Sequence, residues 1–279
     1  MIRYLSGLFN RIFTETWITT TEDSRTYTLS AKGKKFDYKV LITAVTVALS
    51  LVFIEYIGKD PAYITGLLKS LSLNAAAENL RYLTESHPNH QLYSLAYWVM
   101  VIMVFYLLLP VLVIKFVFKE KLRNYGLTKG SLFKDYKLYL LMFMVMIPLV
   151  LYFSRTDGFQ YRYPFYRLAT NEPLWPNFWM WELLYLFQFF CLEFFFRGFM
   201  VHGLKQRFGY YSVFMMTIPY CMIHFGKPLP EAIAAIVAGI ILGTLSLKSR
   251  TIWMGVIIHY SVAIAMDLSA LWQKGYWGH

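Results

Sequence analysis

Seven long apolar stretches decide what this chain can fold into. A transmembrane helix needs about 20 consecutive, mainly apolar residues, and such stretches recur along most of the 279 residues. Only 15% of the residues are charged and 57% are hydrophobic, whereas a soluble domain carries about 25% charged residues. We therefore predict an all-α polytopic membrane protein. The same composition excludes a disordered chain, a coiled coil and a secreted disulfide scaffold.

The predicted spans number seven, and an eighth is an open alternative. The fifth stretch is the shortest and contains Pro219, and residues 62–83 are the place for an eighth span or a re-entrant piece. Ala235, Gly239 and Gly243 lie at four-residue spacing in the sixth span, which predicts close helix packing. The seven spans cover residues 40–57, 92–118, 136–153, 177 to beyond 200, 211–225, 229–247 and 251–272.

The basic residues predict how the spans cross the membrane. The formal net charge is +11, and Lys and Arg concentrate in the cytoplasmic loops of membrane proteins. With a cytoplasmic N-terminus, roughly two thirds of the 27 Lys and Arg residues fall in inside segments, and Arg197 stays within a span. We therefore predict an N-in, C-out topology. We interpret the positive charge as a topology signal, since no nucleic-acid-binding motif accompanies it.

Three parts are predicted along the chain. Residues 1–37 form a cytoplasmic amphipathic segment, residues 38–153 the N-terminal membrane helices, and residues 177–273 a helical core with the candidate functional residues. In the first part, apolar residues recur at helical spacing beside basic ones, which predicts a helix on the cytoplasmic membrane surface. A polar linker is predicted over residues 19–35. The apolar residues of that helix are Ile2, Leu5, Leu8, Phe9, Ile12 and Phe13.

Ionisable residues inside the predicted spans are the functional candidates, since inserting each one costs at least about 2.5–3.5 kcal/mol. Glu55 and Glu182 lie near span ends, where water at the membrane interface can solvate them. His202 lies towards the cytoplasmic end of its span, where its ring can snorkel to the surface. The other ionisable residues of the spans behave as a group: Glu193, Arg197, His224, His259 and Asp267.

Three members of this group predict a metal centre. Glu193 and Arg197 are four residues apart on one helix face, so Arg197 can keep the Glu193 carboxylate ionised. If the chain turns at residues 208–209, Glu193 and His224 both lie about 22 Å from that turn. The seventh span brings in His259. Two histidines and a carboxylate suit zinc, with a fourth position open for water. The alternative is a buried ion pair beside two structural histidines.

Three sequence motifs resemble those of a known family. Leu192-Glu193-Phe194-Phe195-Phe196-Arg197-Gly198 resembles the first motif of the CPBP family, the CAAX protease and bacteriocin-processing membrane proteins. Tyr220-Cys221-Met222-Ile223-His224 resembles the second motif, and His259 resembles the His of the third. The resemblance covers residues 177–272. It implies a metal-dependent intramembrane endopeptidase in a bacterial plasma membrane.

The sequence departs from the family pattern at two positions. The first motif usually begins with two glutamates, and here they are Leu192 and Glu193. In proteolytic members the first of these acids is thought to activate water. The third motif usually has Asn or Asp four residues after its His, and here Ala263 stands there. Asp267 lies one turn further along the same helix face and is the candidate replacement.

We therefore predict an endopeptidase that hydrolyses a peptide bond of a membrane-associated or prenylated protein or peptide within the lipid bilayer. His224 and His259 bind zinc, Glu193 is the third ligand or the general base, Arg197 orients Glu193, and Asp267 completes the site. The alternative is a catalytically inactive protein of the same fold that acts in bacteriocin immunity or secretion, or as a membrane chaperone or scaffold. A transporter is a third hypothesis, since acids and histidines in membranes also relay protons. The sequence leaves the oligomeric state open.

Overall fold

All regular elements in the part of the chain that the structure describes are helical. The computed structural model describes residues 6–7, 9–32, 34–128, 136–169 and 172–277. Ile2, Leu5 and Leu8 of the predicted surface helix lie outside these residues. In chain order the helices are α1 Glu15–Leu29, α2 Tyr38–Gly58, α3 Ala62–Ser70, α4 Asn74–Arg81, α5 His90–Val117, α6 Tyr136–Phe153, α7 Asp157–Arg162, α8 Asn177–Phe208, α9 Tyr211–Met222, α10 Leu229–Ser249 and α11 Trp253–Gln273.

Six of the predicted spans are confirmed as helices long enough to cross a membrane. α2, α5, α6, α8, α10 and α11 each contain at least 18 residues and are sufficiently apolar. α8 is the longest, with 32 residues, which exceeds the roughly 20 residues that a bilayer requires. α8 therefore tilts or extends beyond the hydrocarbon layer. These helices make the chain an integral membrane protein of the all-α polytopic class.

The fifth predicted span is shorter than the sequence suggested. α9 contains 12 residues, which rise about 18 Å and do not cross a hydrocarbon layer of about 30 Å. The backbone then turns through residues 223–227. Gly226 lies in the left-handed region at φ +82°, and Pro228 follows, so the helix does not continue. The predicted seven full spans are corrected to six within the described residues.

No eighth span forms where the sequence left one open. Residues 62–83 fold into α3 and α4, of 9 and 8 residues, followed by the start of a π-helical turn. Ser72, at φ 61°, lies in the left-handed region between them and breaks the helix. Helices of this length are too short to cross a bilayer.

The N-terminal segment is more helical than predicted. α1 continues to Leu29, so the first part of the predicted linker is helix. The Ser24 hydroxyl donates a hydrogen bond of 2.8 Å to the carbonyl oxygen of Arg207. The Arg207 guanidinium in turn lies 3.0 Å from the Asp37 carboxylate. These contacts stabilise a helix rich in Thr, a residue with modest helix propensity, and they could not be predicted from sequence spacing.

The chain groups into two compact units, each of three segments. Unit 1 comprises Met1–Val47, Pro110–Val145 and Glu193–Ile258. Its core includes Ile12, which is 3% exposed, although the sequence placed this residue on the membrane surface. The buried members of this core are Ile12, Tyr139, Leu242, Leu245, Met254 and Ile258.

Unit 2 comprises Ala48–Leu109, Met146–Leu192 and His259–His279. Its core is dominated by aromatic rings, several of which stack on one another. Trp181 is stacked on Tyr185 with ring centroids 4.7 Å apart, and Phe165 is stacked on Trp181 at 5.4 Å. The buried members of this core are Leu92, Val99, Tyr166, Phe178, Trp181, Tyr185, Phe189, Ala263 and Leu271.

Small residues bring α9 and α10 together in unit 1, as predicted. A Cβ atom at Gly239 would lie 3.0 Å from Thr217 Cγ2, and one at Gly243 would lie 2.8 Å from Val213 Cγ1. Both distances are too short for any side chain without movement of its neighbour. The glycines therefore allow the close antiparallel contact between α9 and α10.

Candidate active site

Glu193 and Arg197 form a buried ion pair on α8. The Oε1 of Glu193 lies 3.0 Å from the Nη1 of Arg197, and neither side chain is more than 1% exposed. Arg197 belongs to a π-helical stretch, Phe194–His202, in which every residue is buried. π-Helical turns are rare and frequently occur at functional sites. The predicted pairing of Glu193 and Arg197 is thus confirmed.

Tyr220 of α9 packs against the same guanidinium group. The Cζ of Arg197 lies 4.0 Å from the centroid of the Tyr220 ring, and a desolvated cation–π contact of this kind contributes about 2 kcal/mol. Phe196 meets that ring edge-on, with centroids 5.4 Å apart. Arg197 and Tyr220 lie equally far from the turn at residues 208–209. Their contact therefore confirms the predicted register of the hairpin.

His224 is held by the same tyrosine residue. Its Nδ1 lies 2.8 Å from the Tyr220 carbonyl oxygen, and its ring meets the Tyr220 ring at 4.9 Å between centroids. Because a carbonyl oxygen only accepts, Nδ1 carries the hydrogen and Nε2 carries the lone pair of the neutral imidazole. Glu193, Arg197, Tyr220 and His224 therefore form one contiguous set of contacts in unit 1, which we call the Glu193–His224 network.

Gly255 of α11 packs directly on the Glu193 carboxylate. A Cβ atom at position 255 would overlap Glu193 Oε2 and would lie 3.1 Å from Glu193 Cδ. Only glycine allows this approach. The carboxylate is therefore fixed between the Arg197 guanidinium and the backbone of α11.

Gly255→Ala is expected to push the Glu193 carboxylate away from Arg197. Overpacking of this kind costs about 1–3 kcal/mol, so we expect a lower melting temperature in detergent. Gly66→Ala is the matched control, since no atom lies within 4 Å of a Cβ at that helical position. Equal melting temperatures for the two variants would contradict the packing described for Gly255.

His259 and Ala263 of α11 lie in unit 2. The His259 ring lies 4.6 Å from the Phe189 ring, with an angle of 34° between their planes. Ala263, one turn further along, is 4% exposed and belongs to the aromatic core. The position that the family usually fills with Asn or Asp is therefore part of an apolar core in this chain.

Asp267 makes its polar contacts within unit 2. Its Oδ1 accepts a hydrogen bond of 3.0 Å from the Phe165 backbone N–H, and its Oδ2 accepts one of 3.4 Å from Trp181 Nε1. Asp267 is fully buried. At the end of α11, burial lowers the pKa of Lys274, the charge of Arg167 lowers it further, and Asp267 opposes both. Asp267 thus connects α11 to α8 and to the segment before it.

The sequence also predicted the environment of three other ionisable residues, which are Glu55, Glu182 and His202. Glu55 forms an exposed ion pair of 2.6 Å with Lys59, which confirms that it is solvated. Glu182 is only 1% exposed, so its predicted solvation is wrong, because the neighbouring aromatic residues of α8 lie in a packed core.

The snorkelling role of His202 is also wrong. His202 is 3% exposed. Its Nδ1 lies 3.1 Å from Lys205 Nζ and its Nε2 lies 3.1 Å from Ser246 Oγ. The lysine ammonium donates to Nδ1, so Nε2 carries the hydrogen and donates to the serine. His202 therefore does not act as a base towards Ser246.

Two site residues were missed by the sequence analysis. Tyr220 was quoted only as part of a motif, although its equal distance from the turn predicts contact with Arg197. Gly255 was harder to identify. Its sequence signal is its position one turn before His259, which puts both residues on the same helix face. Cys191 and Cys221 are free cysteines.

The predicted metal centre has no support in the side-chain arrangement. Within the described residues, no three His, Cys, Asp or Glu side chains form a group that could hold a metal ion. Glu193 and His224 lie in unit 1, and His259 lies in unit 2. Zinc binding stays a prediction, and no chemical step below passes through a metal.

Comparison with known proteins supports the motif-based resemblance. Residues 173–265 match the family model of the type II CAAX prenyl endopeptidases, Rce1-like. The matched segment contains the Glu193–His224 network, Gly255 and His259, and it confirms the resemblance to the CAAX protease family. No curated protein and no solved structure matches the chain.

Proposed function

We propose that the chain is an intramembrane endopeptidase that hydrolyses a peptide bond of a membrane-associated or prenylated protein or peptide. The observation that carries this proposal is the buried Glu193–His224 network within the segment that matches a family of prenyl endopeptidases. An intramembrane ion pair and an oriented imidazole are costly to bury. A purely structural helix contact has no need of either group.

His224 is the proposed general base. The hydrogen bond from Nδ1 to the Tyr220 carbonyl presents the lone pair of Nε2, and His224 keeps 6% exposure whereas Glu193 has none. Nε2 takes a proton from water while the water oxygen attacks the substrate carbonyl carbon. The protonated imidazole then gives this proton to the leaving amine nitrogen as the C–N bond breaks. The products are a carboxylic acid and an amine.

Glu193 and Arg197 are positioning residues in this scheme. The guanidinium contacts the Tyr220 ring, and the Tyr220 backbone holds His224. Glu193 keeps the charge of Arg197 paired inside the protein. His259 and Asp267 keep their predicted places in the site as part of the proposal, as do the cytoplasmic N-terminus and the bacterial plasma membrane.

A catalytically inactive protein of the same fold is the second candidate. The observation that favours it is Leu192, which is 5% exposed and stands where the family pattern has an acid. A buried leucine cannot activate water. In that case the Glu193–His224 network stabilises a fold whose activity has been lost, and the protein acts in immunity, secretion or as a scaffold.

Reconstituted protein is expected to cleave a farnesylated peptide, with the product identified by mass spectrometry. The same peptide without the lipid is the substrate control. A chelator and the metal content of the purified protein test zinc separately.

Leu192→Glu is expected to raise the rate about 100-fold or more, because it adds a general base, and Leu192→Gln is its matched control. Cleavage by Leu192→Glu with none by the wild type would favour the inactive candidate, and no cleavage by either would contradict the peptidase proposal.

A further inference from the structure

Two acidic side chains face each other inside unit 2. Glu182 lies on α8 and Asp267 on α11, and their exposed fractions are 1% and 0%. The two carboxyl groups interact with one another. Two ionised carboxylates close together in a medium of low dielectric constant repel strongly. A buried charge without a partner is also costly, so the pair needs a cation.

The hydrogen bonds of the two acids are unequal. Asp267 accepts from the Phe165 backbone N–H and from Trp181 Nε1, and both donors stabilise its ionised form. Glu182 faces the Tyr260 hydroxyl and the Asp267 carboxyl. Neither of its oxygens accepts a hydrogen bond within ordinary distance and angle limits from the described residues. Asp267 is therefore the better-stabilised carboxylate of the two.

No basic side chain supplies the missing charge. Among the residues that the structure describes, no Lys, Arg or His lies within ion-pair distance of either carboxyl. The charge of Lys274 acts on Asp267 from a distance, while its Nζ donates a hydrogen bond of 2.6 Å to the Tyr163 carbonyl oxygen. Arg167 lies near Lys274 and not at the acid pair.

We propose that Glu182 and Asp267 form a proton-binding site in which Glu182 carries one proton and donates it to the Asp267 carboxylate. The hydrogen of the carboxylic acid O–H supplies the partial positive charge that the site otherwise lacks. Asp267 then accepts from three directions, namely the Phe165 N–H, the Trp181 indole and the Glu182 acid. The assignment uses none of the Glu193–His224 network, and Asp267 is the one residue that it shares with the peptidase proposal.

The proton has a structural consequence for the segment between α7 and α8. Phe165 is part of that segment, and its ring stacks on Trp181 and on Trp98, with centroids 5.4 and 5.7 Å apart. Loss of the proton leaves two like charges side by side, and their repulsion strains the contact between Asp267 and the Phe165 backbone. The proton thus fastens this segment to α8 and α11.

Infrared difference spectroscopy tests the proton directly. Wild-type protein in liposomes is expected to show the carbonyl stretch of a protonated carboxylic acid at neutral pH, and Glu182→Gln is expected to lose it. Glu78→Gln, at an exposed glutamate of unit 2, is the control and should retain the band. Absence of the protonated-acid band from the wild type, or an unchanged band in folded Glu182→Gln, would overturn the proposal, and the first outcome does not require the variant to fold.

Thermal stability against pH gives a second readout. Stability from a shared proton is present at low pH and is lost as pH rises through the range where the pair releases it. Between about pH 6 and pH 10, the wild-type melting temperature should fall by about 4 °C more than that of Glu182→Gln, because the amide donates to Asp267 at every pH. Parallel profiles, or a wild-type stability that depends on Na⁺ at fixed pH, would overturn the proton assignment, the latter in favour of a sodium site.

Discussion

Arg197→Ala is expected to lower the free energy of unfolding by about 3–5 kcal/mol, because it leaves the Glu193 carboxylate buried without its partner. The loss includes the desolvated cation–π contact with Tyr220. Reversible unfolding in mixed detergent measures it. Glu55 and Lys59 provide a matched control, since they have the same i,i+4 spacing but are exposed. Lys59→Ala should cost no more than about 0.5 kcal/mol.

A double variant separates the charge from the packing. Glu193→Leu with Arg197→Met removes both charges and keeps apolar volume, so we expect it to recover most of the stability that Arg197→Ala loses. A double variant as unstable as Arg197→Ala would indicate that shape, and not charge pairing, holds α8 at this point. An Arg197→Ala cost equal to that of Lys59→Ala would contradict the buried ion pair itself.

His224→Gln is expected to lower kcat for the farnesylated peptide by about 10²–10⁴-fold, with KM little changed, because it removes the general base and changes no other residue. Steady-state kinetics in liposomes measure both constants. The melting temperature of the variant should stay near that of the wild type, since the glutamine amide can donate to the Tyr220 carbonyl.

His202→Gln is the control for removing a buried imidazole. His202 is as buried as His224, but it contacts Lys205 and Ser246 instead of the Glu193–His224 network. We expect this variant to lose stability and to keep kcat. If kcat fell equally in both variants, the effect would arise from the fold and not from general-base chemistry at His224.

Much of the membrane architecture follows from the sequence, because a span needs only length and apolar character. The predicted bounds of α6 agree with the structure at both ends. The pairing of Glu193 with Arg197 followed from helical spacing alone. Even the contact between α8 and α9 followed from counting residues on either side of a turn, since both helices rise at a fixed rate.

The failures have a common physical cause, since each depends on which neighbour a side chain meets. Glu182 looked solvated by its position in the span, but aromatic packing around it decides its burial. Asp267 shares a helix face with His259, yet its hydrogen bonds are to Phe165 and Trp181. The helix α1 extends into the predicted linker, because a contact with Arg207 stabilises it. Sequence spacing fixes none of these partners.

The shortness of α9 imposes a hydrophobic mismatch on the lipid around it. The outer face of α9 is apolar and exposed at Tyr211, Ile218 and Met222, so acyl chains cover it. That face extends only about 18 Å along the helix axis, and turning backbone at residues 223–227 follows. The bilayer beside α9 must therefore become thinner locally, or its headgroups must move towards the midplane. Either change keeps the peptide groups of residues 223–227 solvated. The depth to which water penetrates at His224 therefore depends on the membrane as well as on the protein. It should change with lipid chain length.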